Sequence, residues 1–344
     1  MQENIPLSEH TTFKLGGRAR YFFRVHSIKE TREALDFARE NSLPFFVLGG
    51  GSNLLVSENG FSGVIIKNEI LGLSFKEEAG GTLVTAGAGE NWDNFVSECV
   101  SLGLYGLENL SGIPGTVGAA PVQNIGAYGV EAKDSIVSVE TLEADTDAVR
   151  NFSAAECGFG YRDSFFKTAE GKSYIITGVT FRLKENGVSN LGYKDLKNYF
   201  GAVKAALTPS LSDVRKAVLE IRSKKFPDLK TTGTAGSFFK NPIIPQAQFD
   251  ELKKRFPDLP GFPLQTTNYK LQTIKIPLAW ILDNILHLKG FMDGPVGLHE
   301  AQPLVIVHTG GGNAEDVRRL AKDVASKIKD ATGVEVSWEV EYLG

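Results

Sequence analysis

Only two cysteines, Cys99 and Cys157, occur in the 344 residues, too few for a disulfide framework or a thiolate metal site. The five histidines (His10, His26, His287, His299, His308) are scattered, and none belongs to an HExxH zinc pair. Apolar runs such as IPLAWIL at 276–282 fall far short of a membrane span. The opening MQENIPLSEH lacks the basic-then-apolar order of a signal peptide. Neither charge is concentrated: the net charge is −4 with no long basic block, which argues against a general nucleic-acid binder. A local basic pocket for a phosphorylated small molecule stays open. There is no Pro/Ser-rich linker and no repeat of solenoid length. Together these absences predict a cytoplasmic, soluble, metal-free protein. Nothing in them specifies an oligomer, and a monomer is compatible.

What is present is an ordinary globular composition, 42% hydrophobic and 23% charged, in a chain long enough for two or three domains. The start alternates between strand-like and helix-like stretches. YFFRV at 21–25 is followed by SIKETREALDFARENS, where Ser27 and Glu30 stand at capping-box spacing and Ile28, Leu35 and Ala38 share a helix face. LPFFVLGGGSNLLV at 43–56 is an apolar run broken by three glycines, and GVIIK at 63–67 reads as a strand. From Leu71 the texture changes to short strands and one helix, NWDNFVSECVSLG. There Trp92, Phe95, Val96, Cys99 and Val100 line one face, which makes Cys99 a core residue. A third texture follows the amphipathic LSDVRKAVLEIRSKKF at 211–226, with helices near LAWILDNI and AEDVRRLAKDVASKI and a strand at PLVIVH. The closing VEVSWEVEYLG alternates: Val334, Val336, Trp338, Val340 and Tyr342 take one face, and Glu335, Ser337, Glu339 and Glu341 the other. Its glutamates read as a solubilising outer face, and pattern alone singles none of them out.

Three glycine-rich segments stand out: LGGGSN (48–53), GAGENW (87–92) and LSGIPGTVGAAPVQNIGAYG (110–129). The first is either a nest of backbone N–H groups for a phosphate or a plain glycine turn. It is not a Rossmann fingerprint, because Leu54 stands where a third glycine is required. The third, poor in charge, lies against something flat and apolar or forms a buried irregular turn. One large extended cofactor would account for all three. GKS at 171–173 is not a Walker motif, because Phe166 replaces its first glycine. The cations of IRSKKFPDLK (221–230) are either ligands or a solvated helix end. Ser-Phe-Phe-Lys occurs twice, in GFGYRDSFFK (158–167) and GTAGSFFKNP (233–242), so one serine serves as a control for the other. In the first copy Arg162 is either functional or half of a structural pair with Asp163.

In family order, LGGGSNLLV, GAGENW, LENLSGIPGTVGAAPVQNIGAYGVE, FGYRDSFFK, GSFFKNP and EVEYLG resemble the UDP-N-acetylenolpyruvoylglucosamine reductases, flavoenzymes of bacterial peptidoglycan precursor synthesis. The likeness runs from Leu7 to Gly344, and NLGYKDL is similar to the subgroup with a tyrosine-bearing substrate loop. The resemblance implies an α+β protein: an FAD-binding fold of the vanillyl-alcohol-oxidase/PCMH type built of α/β subdomains, plus a smaller C-terminal α+β substrate domain. Its divisions would be 1–69 (with 334–344 returning to that core), 70–225 and 226–333.

Gly49, Gly50, Gly51, Ser52 and Asn53 would hold the FAD pyrophosphate, and Ile113, Pro114, Gly115, Ile125 and Gly126 would line the flavin. No histidine lies in the glycine clusters at 48–53 and 110–129, which fits a non-covalent FAD. By the same resemblance Arg162 and Glu339 flank the substrate carboxylate and Ser237 donates a proton, leaving Ser164 as the control. Glu339 is accommodated beside a carboxylate either protonated or with Arg162 between them. Tyr193, Lys225 and Asn241 would grip the diphosphate, with Tyr128 and Gln302 nearby and Lys275 a further candidate. The co-substrate would be NADPH and the product UDP-N-acetylmuramate, serving cell-wall biogenesis, cell shape and division. The chain departs from the family at Trp338, where relatives carry proline, at Leu278-Ala279 in place of Ala-Gly, and in a longer segment at 261–275 to which no role is assigned. Two rivals remain: an FAD-dependent oxidase on the same fold, and an inactive flavin- or nucleotide-binding module.

Overall fold

The computed structural model describes residues 1–202, 208–264 and 272–344, so part of the unassigned segment 261–275 (residues 265–271) lies outside the described residues. The chain forms two compact units. One comprises Met1–Ile5, Ala19–Gly51 and Phe61–Ser223; the other comprises Pro6–Arg18, Ser52–Gly60 and Lys224–Gly344.

The first unit is built on two sheets. In one, the strand Phe61–Asn68 runs parallel to Arg18–Val25 on one side and to Phe45–Leu48 on the other. Its central Val64, Ile65 and Ile66 are fully buried, as a parallel strand covered on both faces requires. Helix α1 (Ile28–Glu40) begins at Ser27, whose hydroxyl accepts from the Glu30 N–H. The expected reciprocal bond is absent: Glu30 instead accepts from the N–H of His26, one residue earlier. Thr31, Ala34, Leu35 and Ala38 of α1 are its buried residues. The second sheet is antiparallel, in the order Val149–Ser153, Ile136–Glu143, Tyr174–Leu183, Gly81–Gly87, Leu73–Glu78. Helix α2 (Trp92–Ser101) covers it with the five residues its periodicity names. Helices α3 (Lys194–Ala202) and α4 (Leu211–Lys225) share a smaller core of Leu196, Val214, Ala217 and Val218 with Tyr128.

The second unit holds helices α5 (Gln246–Arg255), α6 (Leu278–Asn284) and α7 (Ala314–Thr332) around one core. A full capping box at Asn313 and Asp316 starts α7, and Gly333 at φ 69° ends it. The terminal residues Glu341–Leu343 pair in parallel with Leu54–Val56. The alternation at 334–344 therefore gives a shorter ladder than its pattern suggests. Before Glu341 the segment is tied by an isolated bridge between Trp338 and Phe239.

Both cysteines are buried, and burial pushes each thiol up to about 12. The native protein should therefore resist a thiol reagent at pH 8 for hours while both cysteines react at once in denaturant. Rapid labelling of either in the folded state would contradict this placement.

Candidate functional site

In the first unit the three glycine-rich segments meet. A Cβ built on Gly50 would lie 2.6 Å from the Gly115 Cα, and one on Gly118 would lie 2.5 Å from the Cβ of Ala88. Backbone thus rests on backbone, at a separation no side chain permits. The Gly115 carbonyl accepts from the Trp92 N–H at 3.1 Å, and the N–H groups of Val117 and Gly118 donate to Glu90 and Ala88 at 2.9 Å each. At the start of the first segment, Lys67 Nζ donates to the Gly49 carbonyl.

Gly112, beside Ile113 and Pro114, is held through both of its backbone polar groups. Its N–H donates to Asp93 Oδ1 at 2.6 Å, and its carbonyl accepts from Arg222 Nε at 3.0 Å. Arg215 grips the same Asp93 carboxylate with two bonds of 2.6 and 2.9 Å. Burial works against the charge on Asp93, but the Arg215 bonds, the Gly112 N–H and the neighbouring Arg222 outweigh it and hold its pKa below the ordinary value. Arg222 also reaches the Tyr128 phenol, and burial depresses its own pKa.

Tyr128 takes a positive φ of 49°, and burial raises its phenol to about 12, keeping it a neutral O–H donor at physiological pH. Its ring meets Tyr193 edge-on, with centroids 5.5 Å apart. Tyr193, at 45% exposure, is the outer member of the pair. Asn109, only 1% exposed, ties the two stretches together by donating to the Tyr128 carbonyl at 2.9 Å and the Asn190 carbonyl at 2.7 Å. Asn190 in turn donates to the Gly129 carbonyl at 2.9 Å. Arg162 also has positive φ, 52°, and its Nη2 donates to the Gly126 carbonyl at 2.7 Å, next to buried Ile125. The control serine has a structural use: Ser164 donates to the Val122 carbonyl at 2.6 Å and accepts from the Phe166 N–H at 3.2 Å.

In the second unit the other serine is placed differently. Gly236, at φ 75°, turns the chain into an extended stretch that is bonded on both edges. On one edge Phe238 N–H donates to Leu304 and Ser237 bridges Val305; on the other, the N–H of Glu339 donates to Phe238 and that of Lys240 to Ser337. Phe238 and Phe239 are buried, and Trp338 packs edge-on to Phe238 with ring centroids 4.9 Å apart. Among the described residues nothing hydrogen-bonds the Ser237 hydroxyl. Of the glutamates on the outer face of the terminal segment, Glu335 and Glu341 are exposed and Glu339 is half-buried. Asn53 anchors this segment, donating to the Glu339 carbonyl at 3.1 Å and accepting from the Glu341 N–H at 3.0 Å. Asn241 Oδ1 accepts from the Leu278 N–H at 2.9 Å, at the start of α6. Gln302 Oε1 is buried with no partner, and Lys225 is the half-buried last residue of α4.

The first unit therefore carries Gly49–Gly51, Ile113, Pro114, Gly115, Ile125, Gly126, Tyr128, Arg162 and Tyr193. The second carries Ser52, Asn53, Lys225, Ser237, Asn241, Gln302 and Glu339. Sequence reasoning missed Lys67, Asp93, Asn109, Asn190 and Arg215, and treated Arg222 only as one of a run of cations. Asp93 looks like an ordinary acidic residue in the first turn of a helix. Its partner lies 122 positions away, beyond any local pattern.

Comparison with known proteins gives a consistent result. Residues 19–151 match the family model for an FAD binding domain, and residues 228–343 match that for the C-terminal domain of UDP-N-acetylenolpyruvoylglucosamine reductase. The reductase of that name from Ralstonia nicotianae is 40% identical over 343 residues, covering 98% of each chain. The one from Pseudomonas aeruginosa is 41% identical over 340 residues, again covering 98% of each. The crystal structure of the Thermus caldophilus reductase superposes with a TM-score of 0.68 at 25% identity, covering 99% of this chain and 98% of the other. An Arthrobacter nicotinovorans 6-hydroxy-D-nicotine oxidase shares the fold, with a TM-score of 0.51 at 16% identity over 94% of this chain and 83% of its own.

The Asp93 clamp carries a pH signature. Because the folded pKa is depressed, its contribution is complete above the unfolded carboxylate value of about 3.9 and is lost as pH falls through the folded value. Asp93→Asn should lower the unfolding free energy by on the order of 1 kcal/mol, given its partial exposure. Urea titrations should show that deficit constant from pH 8 to pH 5 and shrinking below about pH 4. A deficit that persists unchanged in acid would contradict the assignment.

Proposed function

The chain belongs to the UDP-N-acetylenolpyruvoylglucosamine reductase family, and from that premise we infer that it is an NADPH-dependent flavoenzyme reducing UDP-N-acetylenolpyruvoylglucosamine to UDP-N-acetylmuramate. Its place is peptidoglycan precursor synthesis in the bacterial cytoplasm. Among the described residues no helix is long and apolar enough to cross a membrane.

The first unit suits FAD. Where Gly50 meets Gly115, the missing side chain lets the two loops close on each other, which brings together the main chain we assign to the cofactor. We assign Gly49–Asn53 to its pyrophosphate, and Ile113, Pro114, Gly115, Ile125 and Gly126 to its flavin. The glycine clusters at 48–53 and 110–129 hold no histidine for covalent attachment. Bound FAD supplies a carrier that takes two electrons from NADPH and hands a hydride to the terminal carbon of the enolpyruvyl group.

The protein's own part is to stabilise the charge that develops and to supply a proton. As hydride adds, negative charge grows on the neighbouring carbon and spreads into the substrate carboxylate. We assign Arg162 to that charge, with Glu339 as its partner at the carboxylate. Ser237 then gives its proton to the carbon and recovers one from solvent, so that one hydride and one proton add across the double bond. Serine is a weak acid, but a carbanion is a strong enough base to take its proton. The observation carrying this reading is the contrast between the two Ser-Phe-Phe-Lys copies. Ser164 is bonded at both its donor and acceptor sides, whereas Ser237 has an uncommitted hydroxyl on a stretch bonded directly to the backbone of Glu339. Phe238 and Phe239 shield the reaction from water. Tyr128, Tyr193, Lys225, Asn241 and Gln302 are assigned to the nucleotide end of the substrate. The unpartnered Gln302 Oε1 supports that choice. The division at 1–69, 70–225 and 226–333, with 334–344 returning to the first part, belongs to the same reading. It is supported by the pairing of Glu341–Leu343 with Leu54–Val56.

Anaerobic addition of NADPH should bleach the flavin absorbance, and the enolpyruvyl sugar should restore it. In Ser237→Ala the bleaching should survive, while restoration by the sugar slows at least about a thousandfold, the scale of losing a positioned proton donor. Normal restoration in that variant would overturn the role of Ser237. Restoration of the native protein only by oxygen would point to an oxidase.

A further inference from the structure

Lys67 has no part in the family reading, yet its surroundings call for an anion. The strand Phe61–Asn68 runs parallel to Phe45–Leu48 with Lys67 level with Leu48, so its amine reaches the first residue of the glycine turn and donates to the Gly49 carbonyl. The side chain is half-buried, and burial lowers its pKa. Among the described residues it forms no ion pair. Glu69, whose field reaches it, is already paired with Arg24 and His26. A cation removed from water and compensated by one carbonyl is unfavourable unless a negative group completes it.

We propose that Lys67 contacts a diphosphate oxygen of the bound dinucleotide while holding the Gly49 turn in place. This rests on the flavoenzyme reading above. The lysine supplies the positive charge that the glycine turn itself lacks, and the ligand's negative charge satisfies it in return.

Flavin fluorescence titrations of the apoprotein test this with FAD and with riboflavin, which has no phosphate. Lys67→Gln should weaken FAD binding at least about tenfold, the scale of one charged hydrogen bond, and leave riboflavin binding unchanged. Lys67→Arg, which keeps the charge, should recover most of the FAD affinity. Unchanged FAD affinity in Lys67→Gln would overturn the contact. Equal losses for FAD and riboflavin would also overturn it, because they would mean that the lysine only shapes the turn. Failure of the native protein to bind FAD at all would overturn the flavoenzyme reading along with it.

Discussion

Much of the first unit depends on one contact, the approach of the Gly50 backbone to that of Gly115. A single methyl group at Gly50 would meet the Gly115 Cα at 2.6 Å, so two loops far apart in sequence can touch there only if Gly50 carries no side chain. That contact brings the LGGGSN turn onto the 110–129 segment. GAGENW joins through Gly118 on Ala88 and the Trp92–Gly115 bond. The result is a surface of main chain rather than side chains, suited to a ligand recognised by its phosphates and its flat ring.

A surface of bare backbone has no stiffness of its own, and the structure supplies it from outside. Asp93 and Arg222 hold the N–H and the carbonyl of Gly112, and Arg215 fixes Asp93. Asn109 performs the same service for the Tyr128 turn and for Asn190, three residues before Tyr193. In the second unit the stiffness comes from strand-like bonding on both sides of the Ser237 stretch, with Ser237 bridged to Val305 and the Glu339 N–H bonded to Phe238. Each case places a chemically useful group on main chain that cannot drift.

Helix α2 was legible because its burial follows one periodicity from Trp92 to Val100, and α7 because Asn313, Asp316 and Gly333 mark its ends. The two Ser-Phe-Phe-Lys copies could not be told apart by pattern. What separates them is the Val122 carbonyl, 42 positions from Ser164. Glu339 looked like its neighbours Glu335 and Glu341 for a similar reason. Alternation assigns a face, whereas partial burial comes from how the segment docks. Alternation also overstated the ladder at 334–344, because pairing needs a partner strand and Leu54–Val56 is only three residues long. The family resemblance points to the proposed reacting groups but to none of the bracing residues Asp93, Asn109 and Arg215, which act through partners remote in sequence.

The proposed cofactor surface forms where the glycine segments meet. Its most direct test is the FAD affinity of Gly50→Ala, set against that of Gly201→Ala, a glycine whose added Cβ meets nothing within 4 Å. The account predicts that Gly50→Ala loses FAD by at least a hundredfold, a cost of about 3 kcal/mol, while Gly201→Ala binds as the native protein does. Native affinity in Gly50→Ala would contradict it.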